Sequence, residues 1–254
     1  MNLALSNLAW DFKDNDTIFK KLRKKNISQI EGVLTKIGEW DNLNEDEIIK
    51  FKNTLNRFGI KAKTIQSIFY NIKCNGIGDV DVIITHIKKL ISYCELLEVD
   101  IMVFGSPNLR VGEIDDSVTN SFKLIDELLS KTNIELSIEP NSKIYGGNYF
   151  HSLDEIVNFI NINNFKKIKT MIDTHNLVLE GYCPSEEFIK YRSYINHVHI
   201  SEPGLKPISD IETHIKFYNT LMNNDYENTI TYEVNGLVDF DLNIDNFIRI
   251  YNRK

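Results

Sequence analysis

The sequence predicts a closed parallel (β/α)8 barrel, the TIM-barrel class of α/β fold, as a single domain over residues 1–254. Three observations carry that expectation. The length matches the roughly 250 residues such a barrel takes. Eight short apolar runs alternate with segments whose apolar residues recur every three or four positions. Four of the later runs lead straight into side chains that bind metals: LSIE at Glu139, TMIDTH at Asp173 and His175, INHVHISE at His197, His199 and Glu202, and TITYE at Glu233. These segments lie about 25 to 35 residues apart, the length of a strand, a helix and two loops. Ligands delivered from separate strands converge when the strands share one mouth.

The strand runs are residues 3–8, 28–34, 61–68, 100–104, 134–138, 168–172, 195–200 and 229–232. Between them, Ile48, Phe51, Leu55 and Phe58, then Ile83, Ile87, Leu90, Ile91 and Cys94, then Phe122, Ile125, Leu128 and Leu129, each mark one face of an amphipathic helix. Capping signals open several helices: Asn44 before EDE, Asp81, Ser152 before LDE and Ser185 before EE. The competing fold, an open doubly wound sheet, would place a glycine-rich phosphate loop after its first strand, where this chain has NLAWD. With no GxGxxG or GxxxxGK anywhere, a nucleotide enzyme is disfavoured. The five prolines and twelve glycines form no linker-like tract, which favours one domain.

Net charge of −7 and a pI near 5.4 argue against a nucleic-acid partner, which needs a clustered positive surface. The densest basic group, Lys20, Lys21, Arg23, Lys24 and Lys25, reads as a solvated helix face. No apolar run approaches the roughly 18 residues of a membrane span, and MNLALSNLAWDFKDND lacks the features of a signal peptide, so a cytoplasmic protein is expected. Cys74, Cys94 and Cys183 read as unpaired thiols.

Glu139 and Glu233 end strands five and eight, on roughly opposite sides of an eight-membered ring, an arrangement suited to removing a proton on one face of a carbon and returning it on the other. Asp173 and His199 complete a set of three oxygen ligands and one nitrogen ligand, which suits Mn²⁺, Mg²⁺ or Co²⁺ better than structural zinc. His199 is expected to point into the mouth and His197 outward in a structural role. Either His175 or Asn176 faces the cavity. His214 reads as a helix packing or capping residue, and His86 and His151 as surface or loop residues. Trp10, Trp40, Tyr145 and Tyr149 are expected as exposed aromatics near the mouth, to stack on a sugar, form a dimer contact or pack against loops.

The segments SNLAW, IEGVLTKIGEW, IQSIFY, VFGSPNLR, IEPNSKIYGGNYFHSLDE, IDTHN, HVHISEPGLKPI and ITYEV follow one another along the whole chain. In order and spacing they resemble the strand ends of sugar phosphate isomerase/epimerase proteins in the xylose-isomerase-like barrel superfamily, similar to those of the D-tagatose 3-epimerase type. The resemblance implies one divalent ion, Mn²⁺ first and Mg²⁺, Co²⁺ or Zn²⁺ as alternatives, held by Glu139, Asp173, His199 and Glu233. It implies that Glu139 and Glu233 are catalytic, exchanging the substrate proton through a cis-enediolate. It places Glu31, Gln66, Ser106, Arg110, His175, Asn176 and Glu202 as substrate-binding residues at the mouth, around a small carbohydrate, with no nucleic acid or membrane partner and with a homodimer as the candidate assembly. Three positions depart from the epimerase pattern: Asn176 stands where a histidine is usual, Leu205 where an arginine is, and Tyr145 where a second acidic residue is. Substrate contacts therefore differ from those of a free ketohexose epimerase. Arg110, Lys36 and Lys206 favour an anionic substrate such as a sugar acid or sugar phosphate. The alternatives are a metal-dependent hydrolase or lyase of the superfamily, including an apurinic-endonuclease-like branch that needs about three zinc ions, and a non-catalytic sugar-binding barrel.

Overall fold

In a computed structural model, which describes residues 1–236 and 239–252, eight parallel strands close into one barrel in sequence order. They are β1 (Asn2–Ser6), β2 (Gln29–Val33), β3 (Lys61–Gln66), β4 (Ile101–Phe104), β5 (Glu135–Ile138), β6 (Ile168–Asp173), β7 (Ile195–Ile200) and β8 (Thr229–Tyr232). The first and last strands pair directly, Leu5 against Tyr232, which closes the ring. Outside it run α1 (Asn15–Lys24), α2 (Glu45–Arg57), α3 (Val80–Leu97), α4 (Asp116–Leu129), α5 (Leu153–Asn163), α6 (Thr174–Leu179), α7 (Pro184–Tyr191), α8 (Ile211–Asn223) and α9 (Phe240–Tyr251).

Local chemistry sets most boundaries. Asn44 and Ser152 cap α2 and α5 as the sequence indicates, accepting from the N–H groups of Glu47 and Glu155. Two expected caps move. The cap of α3 is Asp79, so Asp81 lies in the first turn, and α7 starts at Pro184, whose fixed φ suits a first helical position, which leaves Ser185 inside the helix. The first strand ends at Ser6 rather than residue 8, because the Ser6 hydroxyl accepts from Leu8 N–H and opens a short 3-10 turn over Asn7–Ala9. The third ends at Gln66, since Ser67 takes a left-handed φ of 56° that no strand continues.

Between strands and helices the core is dense in aromatics. Phe104 meets Phe69 and Phe122 edge-on or tilted, and Phe122, Phe150 and Phe159 form a triangle of ring contacts linking β4 to α4 and α5. Each such buried ring contributes about 1.5–3 kcal/mol relative to exposure. The basic stretch on α1 is not simply solvated: Lys21 and Lys25 reach Asp241 and Asp245 of α9 at 2.8 and 2.6 Å, across the seam where the last helix meets the first. Trp10, Trp40 and Tyr149 are buried, and of the four expected exposed aromatics Tyr145 alone projects, at 41% exposure. His86 is buried rather than superficial, donating from Nε2 to Ile68 O at 2.6 Å with the Trp40 ring edge-on beside it. The three cysteines are free thiols. Among the described residues no helix is long and apolar enough to cross a membrane.

Candidate metal centre

At the C-terminal mouth, Glu139 and Glu233 each stand one residue beyond a strand yet still extend its ladder. Glu139 N–H donates to Phe104 O at 3.1 Å and Glu233 N–H to Ile200 O at 2.9 Å. Their Cα positions are thus fixed by sheet hydrogen bonds rather than by loops. Asp173, the last residue of β6, doubles as the cap of α6: Oδ1 accepts from Asn176 N–H at 2.7 Å, and the Ser201 hydroxyl donates to the same carboxylate at 3.1 Å. His199, the penultimate residue of β7, is fully buried. Its Nδ1 lies 3.4 Å from Glu139, 3.6 Å from Asp173 and 3.3 Å from Glu233. The four ligand atoms all fall within 4.8 Å of one another. Glu139 and Glu233 are three strands apart round the ring rather than opposite, with β6 and β7 supplying the other two groups between them.

A layer below, His197 and Glu31 support this quartet. The expectation that His197 and His199 diverge is corrected: residues two apart on a strand share a face. Both rings point inward and are fully buried. Glu31 of β2 sits between them, its Oε2 accepting from His197 Nε2 at 2.7 Å and its Oε1 lying 2.7 Å from His199 Nε2. Burial alone would raise the Glu31 carboxyl, but the contacts with His199 and His197 outweigh it and hold it well below the carboxylate range. Burial pushes the His197 pKa down. Burial opposes a charge on His199 too, yet Glu31 and Glu233, with Asp173 and Glu139, overcome it and push its pKa well up.

Three carboxylates crowded around one imidazole nitrogen repel one another unless a cation lies among them. His199 Nδ1 has no hydrogen-bond partner although it is wholly buried. A carboxylate behind the far ring nitrogen is the arrangement that orients a metal-binding histidine. Three hard oxygen donors and one imidazole fit a divalent ion such as Mn²⁺, Mg²⁺ or Co²⁺.

Other expected mouth residues separate. Gln66 is buried and donates from Nε2 to the Ser6 hydroxyl at 2.6 Å, while Ser106 is half-buried where β4 gives way to the next loop. Glu31 is no mouth residue, being sealed beneath His199. Arg110 is corrected more sharply. Its guanidinium is fully buried and donates to the carbonyls of Phe150, Glu139 and Phe104 at 3.0, 2.8 and 3.1 Å. The rings of Phe104 and Phe150 flank it. Desolvation presses its pKa down to about 10 despite the nearby Glu139 charge. Arg110 therefore clips the ends of β4 and β5 together and is spent before any substrate arrives. Lys36 is likewise occupied, donating to Leu8 O and Trp10 O at 3.3 and 2.8 Å. Lys206 is exposed in the loop after β7. Glu202 accepts from Ser209 and Asp210 N–H and lies 3.3 Å from His214, so it folds that same loop. His214 is the packing residue expected, buried against Tyr251 Oη at 2.7 Å.

His175 and Asn176 both turn toward the loop after β5. Asn176 accepts from Ser142 N–H at 3.0 Å, and His175 Nε2 lies 2.6 Å from Tyr145 Oη. Burial and the Asp173 charge both raise the Tyr145 phenol. Two positioning residues went unmarked in the sequence. Asn141 donates to Glu139 Oε2 at 3.2 Å. Gly105 leaves the space that carboxylate fills: a Cβ there would lie 2.0 Å from Glu139 Oε2. A glycine directly after a buried strand is the available signal for such a close approach.

A closed eight-stranded barrel with a carboxylate-rich centre at its C-terminal mouth defines a class, and sequence comparison specifies it. The chain belongs to the xylose isomerase-like TIM barrel family, whose model matches residues 19–237. No curated protein matches the sequence. Among solved structures, the chain is similar to 3-keto-D-glucoside 4-epimerase from E. coli at TM-score 0.80 and 14% identity, over 100% of both chains. D-psicose 3-epimerase from Clostridium cellulolyticum H10 aligns at TM-score 0.75 and 16% identity, over 99% of this chain and 92% of that one. An AP endonuclease of family 2 from Brucella melitensis aligns at TM-score 0.76 and 12% identity, over 98% and 99%. At these identities the likeness is one of fold.

Proposed function

We propose that the protein is a metal-dependent isomerase or epimerase of sugars or sugar derivatives. The observation that carries the proposal is the convergence of Glu139, Asp173, His199 and Glu233 within 4.8 Å, around an imidazole nitrogen with no hydrogen-bond partner. A bound divalent ion, Mn²⁺ first among candidates, would polarise a substrate carbonyl and its neighbouring hydroxyl and so acidify the adjacent C–H. The protein supplies the rest. Asp173 is fixed from two directions, by Asn176 N–H and by Ser201, so its carboxylate is held still. Glu139 and Glu233 approach from separate strands with longer, freer side chains, and one removes the proton that the other returns. Return to the same carbon from the opposite face inverts it; return to the neighbouring carbon moves the carbonyl. The two epimerases among its structural neighbours agree with this chemistry.

The test joins metal content to isotope exchange. Elemental analysis after Mn²⁺ loading is expected to give about one ion per chain, weakened in Glu233→Gln, and solvent deuterium is expected to enter a carbon of at least one sugar in a panel of ketoses, glycosides, sugar acids and sugar phosphates. No bound metal would sink the reading. A cluster of three ions would favour the hydrolase branch, for which Glu31 and His197, already bonded to each other, would have to be freed as ligands.

A further inference from the structure

A cavity of about 940 Å³ opens on the same end of the barrel between the loops after β2 and β3 and the first turns of α3. None of the four quartet residues lines it. Its inner wall begins at Val33, which shares the inward face of β2 with Glu31, two residues before it, and pairs in register with Gln66 of the mouth. At about 3.3 Å per residue, Val33 lies only about 7 Å above Glu31, which itself touches His199. The cavity thus lies beside the barrel mouth on its β2–β3 side, with the quartet on the β5–β8 side.

Its lining points to a polyhydroxylated, uncharged occupant. Tyr70 presents a broad ring, 58% exposed, beside the edge of Trp40, whose indole N–H donates to Tyr70 O at 2.6 Å. Asp81 and Thr85 project from one face of α3 as free polar groups. The three cations around the cavity already have partners: Lys36 donates to Leu8 O and Trp10 O, Lys73 pairs with Asp41 at 2.9 Å, and Lys89 donates to Trp40 O at 2.5 Å. His86 is kept uncharged by burial and donates to Ile68 O. The three cations are matched by three carboxylates in the same lining, Glu39, Asp41 and Asp81, so the cavity offers no net positive charge to a phosphate or carboxylate.

Resting on the isomerase reading of the quartet, we propose that this chamber seats a second, neutral sugar ring, so that the substrate is a glycoside or disaccharide rather than a free monosaccharide or a sugar phosphate. The reacting ring lies over Glu139 and Glu233, and the other packs its apolar face on Tyr70 and hydrogen-bonds Asp81 and Thr85.

Calorimetric titration of the metal-loaded protein with cellobiose, maltose, lactose and sucrose, beside glucose, fructose and glucose 6-phosphate, tests this without needing turnover. At least one disaccharide is expected to bind about tenfold tighter than either monosaccharide, and Tyr70→Ala is expected to erase that advantage while leaving monosaccharide binding unchanged. Thr85→Trp, which fills the chamber from an exposed helix position, provides a second route to the same loss. The proposal is overturned if no disaccharide gains over the monosaccharides, if the gain survives both substitutions, or if glucose 6-phosphate binds tightest. Deuterium uptake by a monosaccharide with no disaccharide advantage would sink the chamber alone. A disaccharide advantage without deuterium uptake would sink the isomerase alone.

Discussion

The two halves of the barrel mouth carry the same kinds of residue and use them in opposite ways. From β5 to β8, Glu139, Asp173, His199 and Glu233 converge with their functional atoms facing one another. From β1 to β4 and the loop that follows, Glu31 and Arg110 are charged side chains buried as fully as His199, but every strong contact they make is with the protein itself. Depth along the strand makes the difference. Glu233 lies one residue past β8, whereas Glu31 sits mid-strand, two residues before β2 ends. A carboxylate at the rim can meet a ligand, and one a layer below can only orient what meets it. On the proposed function, the mouth is thus a reactive half braced by a supporting half.

The largest expected effect breaks the reactive half alone. Glu233→Gln keeps the side-chain volume and the backbone bond to Ile200 O but removes a base and a metal charge. Turnover is expected to fall by about 10²–10⁴-fold, in the range of a lost acid–base group. Thermal melting in the apo form should stay within a few degrees of wild type, and a collapse of folding would show instead that Glu233 belongs to the supporting half.

Next comes the brace itself. Arg110→Met fills a similar space but leaves the carbonyls of Phe104, Glu139 and Phe150 without that donor. At about 1–3 kcal/mol per unsatisfied buried group, partly relieved by no longer burying a cation, the net loss is expected to be about 3 kcal/mol. For a chain of this size that is a melting shift of roughly 6–12 °C. An unchanged melting temperature with weakened sugar binding would return Arg110 to the substrate role its sequence suggests.

Glu31→Gln sharpens the comparison further. The amide can still meet His197 but no longer places a negative charge behind His199. Metal affinity is expected to drop about 10–100-fold, with the fold retained. Calorimetric Mn²⁺ titration of the two proteins reads the difference, and equal affinities would remove Glu31 from the support of the site.

The reactive half was legible in sequence and the supporting half was not, for a physical reason. An apolar run that ends in Glu, Asp or His reports both a strand and its rim, so all eight strands and the four residues that converge at the mouth could be placed from pattern. Role below the rim depends on depth, and sequence shows depth poorly. Arg110 reads as an exposed cation because most arginines are, and nothing local reveals that its loop folds back beneath Phe150. Glu202 follows the histidines like a further ligand but is drawn off by Ser209 and Asp210 N–H seven and eight residues on. His197 is expected outward, although a spacing of two on a strand puts it on the same face as His199, where it meets Glu31. Trp40 reads as surface because its cover, the loop carrying Tyr70, comes from a different strand.

The smallest expected effect lies where the two halves meet. Gly105 follows β4, in the supporting half, and its missing side chain is what lets Glu139 of the reactive half lie flat across it. In Gly105→Ala the new methyl would stand 2.0 Å from Oε2 and 3.2 Å from the Glu139 carboxyl carbon, so the carboxylate must swing away. Since the clash is with the far end of a flexible side chain, the fold should absorb it at a cost below about 1 kcal/mol. The carboxylate would then be held out of register with Asp173 and His199, and both Mn²⁺ affinity and turnover are expected to fall by about tenfold, at the low end of what misplaced support costs a metal site. A Gly105→Ala protein that binds Mn²⁺ and turns over like wild type would mean that Glu139 works from a rotamer other than the one lying over Gly105, and the division of the mouth into reactive and supporting halves would have to be redrawn at β4.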